Sequence, residues 1–244
     1  FETRLIQEPS GALALIGSGD PSISSRVYPY AASAASLPSR HAIDELVDQA
    51  IAAGLRRVDG DIVGDDQRYP WSPYPESWTA DDALREFGAP VSALSFNDNT
   101  VTISLRPGAR SGALATVELD PGFEYFTIDN RVITTDGAGG TSIRVNRIPG
   151  TRQVVLSGVI ITKSPVVREI VAVDDPALFS AYALYDALLK RGIPVRGRPV
   201  ARHRTVQVLA PQEGRVLAAR NSPPLSELLQ AAIKVSQNLH AELF

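Results

Sequence analysis

Between about residues 90 and 161 the side chains repeat every two residues, and that period decides most of what this chain can fold into. NTVTISLRPG sets Val101, Ile103 and Leu105 on one face and Thr102 and Ser104 on the other. ATVELDPG, TSIRVNRIPG and RQVVLSGVII continue the texture, with Pro-Gly or Gly at their turns. Alternation of this kind belongs to half-buried strands, whose successive side chains point to opposite faces. A β-rich module over about 90–161 is therefore expected.

On either side the period changes to that of a helix. In SRHAIDELVDQAIAAG, Ile43, Leu46, Val47, Ala50 and Ile51 share one face, with Ser39 as the expected N-cap and Gly54 as the stop. DDPALFSAYALYDALLKRG is a stronger helix. Asp175 caps it, Pro176 suits its first position, and Lys190 and Arg191 fall in its last turn before Gly192. Leu178, Ala181, Tyr182, Tyr185, Leu188 and Leu189 are expected to form its buried stripe. The expected fold class is thus α+β, mixed.

GALALIGSGDPSI reads as a strand, Ala12 to Ile16, entering a turn. It lacks the third glycine of a dinucleotide loop, and Pro21 interrupts it. Asp59, Asp61, Gly64 and Asp65 match four positions of a calcium loop, but Val63 and Pro70 stand where ligands belong. Turn-forming carboxylates explain them better. No metal or cofactor is expected. The net charge of −3 and the scattered basic residues argue against nucleic acid. No apolar run approaches the roughly 18–20 residues of a membrane span. With no cysteine, thiolate chemistry and disulfides are excluded.

His41, His203 and His240 are far apart and match no metal spacing, so surface or capping roles are expected for each. No G-x-S-x-G elbow occurs. In the tail, NSPPLSELLQAAIKVSQNLHAELF, the residues Leu225, Leu228, Leu229, Ala232 and Ile233 share one face; the pattern restarts at Leu239 and Leu243. By spacing alone, Ser236 or Asn238 would cap the second of two helices.

SPPLSELLQAAIKVSQNLHAE resembles the segment around the S-x-N motif of the D-alanyl-D-alanine carboxypeptidase/endopeptidase family, the class C low-molecular-mass penicillin-binding proteins. FETRL, LIGSGDPSI, AAGLRRVDGDIVGDD, GAPVSALSFNDNTVTISLRPG and VDDPALFSAYALYDALLKRGI stand in that family's order and rough spacing. The resemblance implies accessory domains over residues 1–205, at least one of them β-rich. It implies that residues 206–244 re-enter a penicillin-binding-protein/β-lactamase-like transpeptidase domain.

It also implies acyl transfer. A serine in S-x-x-K attacks the D-Ala-D-Ala carbonyl of a peptidoglycan stem peptide, and water releases the acyl-enzyme. Carried over, Ser236 passes a proton toward the leaving amine, and Asn238 holds the substrate's amide carbonyl. In SWTADDALREFGAP the family pattern places Asp82 and Phe87, with Trp78 nearby, beside the stem-peptide side chain. β-Lactams are the implied inhibitors and a periplasmic or extracytoplasmic location the implied address.

The departures are specific. The residues three before Lys163, Lys190 and Lys234 are Ile160, Ala187 and Ala231, so S-x-x-K is absent from this sequence. K-T-G is absent too; Pro165 stands where the family's strand needs glycine. The sequence begins at Phe1 and contains no Met, and the missing motifs are expected upstream of Phe1 and downstream of Phe244. The alternative is a non-catalytic cell-wall-binding or scaffold relative.

Overall fold

Leu13, Ala14, Leu15 and Ile16 form a strand without a polar face because both of its faces are buried. The computed structural model of the protein describes residues 1–75, 78, 82–148, 151–205 and 213–244. In it, β1 (Glu2–Gln7), β2 (Leu13–Ile16), β3 (Ile62–Pro70), β10 (Pro199–Arg204) and β11 (Arg215–Asn221) make a five-stranded sheet, ordered β10-β3-β2-β1-β11. β1 is antiparallel to β2 and β11, whereas β3 is parallel to both β2 and β10. Leu5, Leu13, Leu15 and Ile62 point to one side. Ile6, Ala14, Ile16 and Val63 form a smaller cluster on the other.

α1 (His41–Ala52) and α2 (Pro176–Lys190) pack on the first side of the sheet. α2 starts as its sequence directs: Asp175 accepts the Leu178 N–H at 2.8 Å, and Pro176 occupies the first turn. α1 does not. Arg40 sits at the N-cap without a side-chain capping bond, its guanidinium pairing instead with Asp186, and the Ser39 hydroxyl donates to Asp120 at 2.6 Å. The stripe of α2 also differs from expectation. Ala177, Phe179, Ala183, Leu184 and Ala187 are buried beside Ala181 and Leu188, while Leu189 is exposed. The helix is sandwiched between the sheet and the β-module, so more than one face needs covering.

Gly64 has a packing reason. A Cβ there would fall 1.9 Å from the Ala177 carbonyl oxygen, so β3 lies directly against the first turn of α2. The acidic residues around it have protein partners. Asp59 pairs with Arg57 and Arg196, Asp61 accepts the Arg198 N–H, and buried Asp65 pairs with Arg202.

The β-module consists of two three-stranded sheets. β4 (Thr100–Arg106) lies between β5 (Thr116–Asp120) and β9 (Val167–Ala172). β8 (Gln153–Ile161) lies between β6 (Thr127–Thr135) and β7 (Ser142–Arg147). Strand structure thus continues past residue 161 to Ala172. Val101, Ile103, Leu105, Val132, Val154 and Leu156 share one continuous core with α2 and the large sheet. The junction is aromatic: Phe179 of α2 lies 5.2 Å from Phe96, 5.2 Å from Phe123 and 5.0 Å from Tyr125, centroid to centroid.

A polar seam runs beside this junction. His203 of β10 stacks on Trp71 at 3.8 Å. Its Nδ1 is 2.9 Å from Asp66 of β3, and its Nε2 is 3.3 Å from Asp175 at the start of α2. Ser92 donates to the same Asp66, and Tyr125 donates to Asp174 at 2.6 Å. His203 is therefore no surface or capping histidine; it ties β10 to β3 and to α2. Burial alone would lower its pKa, but the hydrogen bonds and charges of Asp175 and Asp66 outweigh it and raise the ring to about 9. The unfolded ring titrates near 6.5. The stabilisation is fully present below about pH 6.5 and is lost as pH rises through about 9. Denaturant unfolding at pH 6.5 and pH 10 should show a fall on the order of 1–3 kcal/mol that His203→Gln removes. Equal slopes in the two proteins would contradict this.

Candidate functional site

The chain's last two helices carry the motif residues. α3 (Leu225–Val235) ends at Ser236, whose backbone adopts the left-handed conformation at φ 54° and ψ 47°. α4 (Asn238–Leu243) follows after a single intervening residue, Gln237. Neither the Ser236 nor the Asn238 side chain caps a helix; Gln237 holds the N-cap of α4 without a side-chain bond. The left-handed residue closes α3 through its backbone, and the Gln237 N–H donates to the Ala232 carbonyl at 3.2 Å. A non-glycine residue in this conformation costs roughly 1–2 kcal/mol. Such positions cluster where function imposes them.

The apolar stripe of α3 does not face a core. Leu228 and Ala231 are buried, but Leu225, Leu229 and Ile233 are 52%, 39% and 78% exposed. Periodicity identifies residues that share a face, not what covers that face.

Ser236 and Asn238 are both exposed. The Asn238 Nδ2–H donates to the Phe87 carbonyl at 3.0 Å, joining positions 151 apart in sequence. Phe87 lies in a 3₁₀ turn, Glu86–Gly88, and its ring is half exposed. Asp82 opens the preceding 3₁₀ turn, Asp82–Leu84, and its carbonyl accepts the Arg85 N–H. The two turns are locked close together: a Cβ on Gly88 would meet the Asp82 carbonyl oxygen at 2.2 Å. Asp82, Phe87 and Asn238 thus share one surface. Trp78 is half-buried, and its backbone N–H donates to the Pro75 carbonyl. Residues 77 and 79–81 of the same motif lie outside the described residues.

Behind this surface is a charged cluster that sequence reasoning missed. His240 of α4 is fully buried. Its Nε2 is 3.3 Å from Asp98 Oδ1, and the same oxygen accepts from Arg26 at 2.5 Å. Burial alone would raise the Asp98 carboxyl, but the His240 hydrogen bond and the Arg26 charge outweigh it and hold the pKa at about 2. Asp98 is the middle of three consecutive left-handed residues, Asn97 (φ 51°), Asp98 (φ 52°) and Asn99 (φ 57°). This strained turn is fixed by its neighbours. Asn99 accepts the Phe96 N–H and donates to Pro90 and Ser95; Asn97 donates to the Thr100 carbonyl. The only signal in the sequence was the Asn-Asp-Asn run, since these side chains tolerate φ > 0 better than most.

The fold is similar to about half of a solved penicillin-binding protein. Penicillin-binding protein 4 of Haemophilus influenzae superposes with a TM-score of 0.75 at 20% identity, over 100% of this chain and 51% of that one. A second structure of that protein, complexed with a novel β-lactam, gives 0.64 at 19% identity, over 100% and 48%. The chain belongs to the D-Ala-D-Ala carboxypeptidase 3 (S13) family, whose profile matches residues 1–244. A D-alanyl-D-alanine carboxypeptidase of Actinomadura sp. (strain R39) is 27% identical over 237 residues. The match covers 95% of this chain and 40% of that relative's length. Among the described residues no helix is long and apolar enough to cross a membrane.

Proposed function

We propose that this chain is part of a serine DD-peptidase and contributes Ser236 and Asn238 to its acyl-transfer site. The observation that carries this is the Asn238–Phe87 hydrogen bond. It joins the S-x-N segment to the Asp82/Phe87 turns on one exposed surface. Chemically the residue types suit the step. In the longer protein, a serine oxygen forms a bond to the penultimate D-Ala carbonyl carbon and the C–N bond to the terminal D-Ala breaks. The Ser236 hydroxyl, able to donate and accept at once, relays the proton to the leaving amine. One Asn238 N–H is held by Phe87 and the second is left to hold the substrate's amide carbonyl. Water then cleaves the ester. The nucleophile and its lysine come from sequence outside the 244 residues.

The substrate in this reading is the stem peptide of peptidoglycan, including peptide cross-links, met outside the cytoplasm. Asp82, with Phe87 and Trp78, recognises the polar end of its diamino-acid side chain by pairing a carboxylate with an ammonium group. Asp82→Ala is then expected to weaken turnover of stem peptides with a free side-chain amine about tenfold or more, leaving penicillin acylation nearly intact. Equal losses would refute the assignment.

Labelling the full-length protein with a fluorescent penicillin tests the whole reading. Stoichiometric covalent labelling is expected. No acylation at any concentration would sink it and leave the non-catalytic cell-wall-binding alternative.

A further inference from the structure

We propose that His240, through its contact with Asp98, is a positioning residue that sets the orientation of Ser236 and Asn238. The inference rests on the acyl-transfer reading above.

α4 is short, and its three buried side chains are Leu239, His240 and Leu243. The two leucines hold it to the body of the protein, but apolar contact is non-directional and fixes neither its rotation nor its register. The His240–Asp98 contact is directional. It ties the helix, two residues beyond Asn238, to a turn whose conformation is already fixed. That turn cannot follow the helix if it moves. Its consecutive left-handed residues are pinned by hydrogen bonds to Phe96, Pro90, Ser95 and Thr100, and the Asn97 N–H donates to the Ile23 carbonyl. Arg26 holds Asp98 from the opposite segment. Phe244 meets the His240 ring edge to face at 6.4 Å.

A polar cavity of about 300 Å³ opens beside this cluster. Arg26, Asp98 and Val235 are among its lining residues, so it reaches the residue immediately before Ser236. The last residue of α3, Val235, therefore borders open space on that side. The place of the segment carrying Ser236 depends on the few directional contacts it makes: Asn238 to Phe87 on the surface and His240 to Asp98 beneath.

The role is tested in the full-length protein with His240→Phe, which keeps an aromatic ring but cannot donate, and His240→Gln, whose side-chain amide can. Two quantities are read: the second-order rate of acylation by a fluorescent penicillin, and hydrogen exchange at the Gln237 and Ala241 amides. His240→Phe is expected to slow acylation tenfold or more and speed exchange at both amides, with His240→Gln recovering most of each. Wild-type acylation in folded His240→Phe overturns the proposal, and so does equal impairment of the two variants, which would mark a packing role alone. Should His240→Phe fail to fold, Asp98→Gly takes its place, since glycine accepts the left-handed turn and carries no acceptor for His240. The same tenfold loss is expected, and wild-type acylation overturns the proposal. A wild-type protein that penicillin does not acylate defeats the acyl-transfer reading instead. The exchange measurement then decides the clamp by itself, and unchanged exchange in His240→Phe refutes it.

Discussion

Ser236→Ala in the full-length protein is expected to slow acylation by penicillin roughly 10²–10⁴-fold, the usual range for removing a group that carries a proton in the transition state. The fold should not notice. Ser236 is exposed, and its side chain makes no hydrogen bond among the described residues. Its backbone sits in the left-handed region, where alanine and serine bear the same strain. Ser236→Gly makes a sharper contrast. Glycine removes a strain of about 1–2 kcal/mol at some cost in unfolded-chain entropy. The variant should therefore unfold at equal or higher denaturant concentration while losing as much acylation as Ser236→Ala. Loss of activity with unchanged or improved stability is hard to produce by any route except removal of a chemical group. An acylation rate within twofold of wild type in either variant would remove Ser236 from the reaction.

Phe179→Ala is expected to cost about 3–5 kcal/mol, the range for truncating a fully buried phenylalanine. Phe179 is wholly buried and touches three aromatic rings, Phe96, Phe123 and Tyr125, that come from the chain's β-rich portion. Replacing it opens a cavity where α2 meets that portion, and rigid strands collapse poorly into such a space. Denaturant unfolding followed by far-UV and near-UV signals checks the prediction. A loss under about 1 kcal/mol would mean that the junction is looser than the ring contacts indicate.

What the sequence made legible followed local rules. Thr100–Arg106 alternates cleanly because one face of β4 is buried, and Asp175-Pro176 announces a helix that indeed begins there. β10 was not legible: PVARHR carries three basic side chains, and two of them turn out to be held by buried carboxylates from a strand more than 130 residues earlier. Ser39 looked like a cap, but Asp120 from the β-rich portion claimed its hydroxyl. In the candidate site, Ser236, Asn238, Asp82 and Phe87 were singled out by resemblance, and the contact between Asn238 and Phe87 came only from the structure. His240 was misjudged for a physical reason. A histidine on an amphipathic helix is usually at the surface, and nothing local reports that an aspartate 142 positions away waits beneath it.

The five-stranded sheet sets a timing problem for synthesis. β1 finds β2 within a few residues, but its other edge pairs with β11, about 210 residues further along the chain. At about 5–20 residues per second, a ribosome needs roughly 10–40 s to deliver that partner. For all of that interval Thr3, Leu5 and their neighbours present an open strand edge, the kind of surface that recruits other chains. A nascent polypeptide of this design needs protection along that edge until β11 arrives.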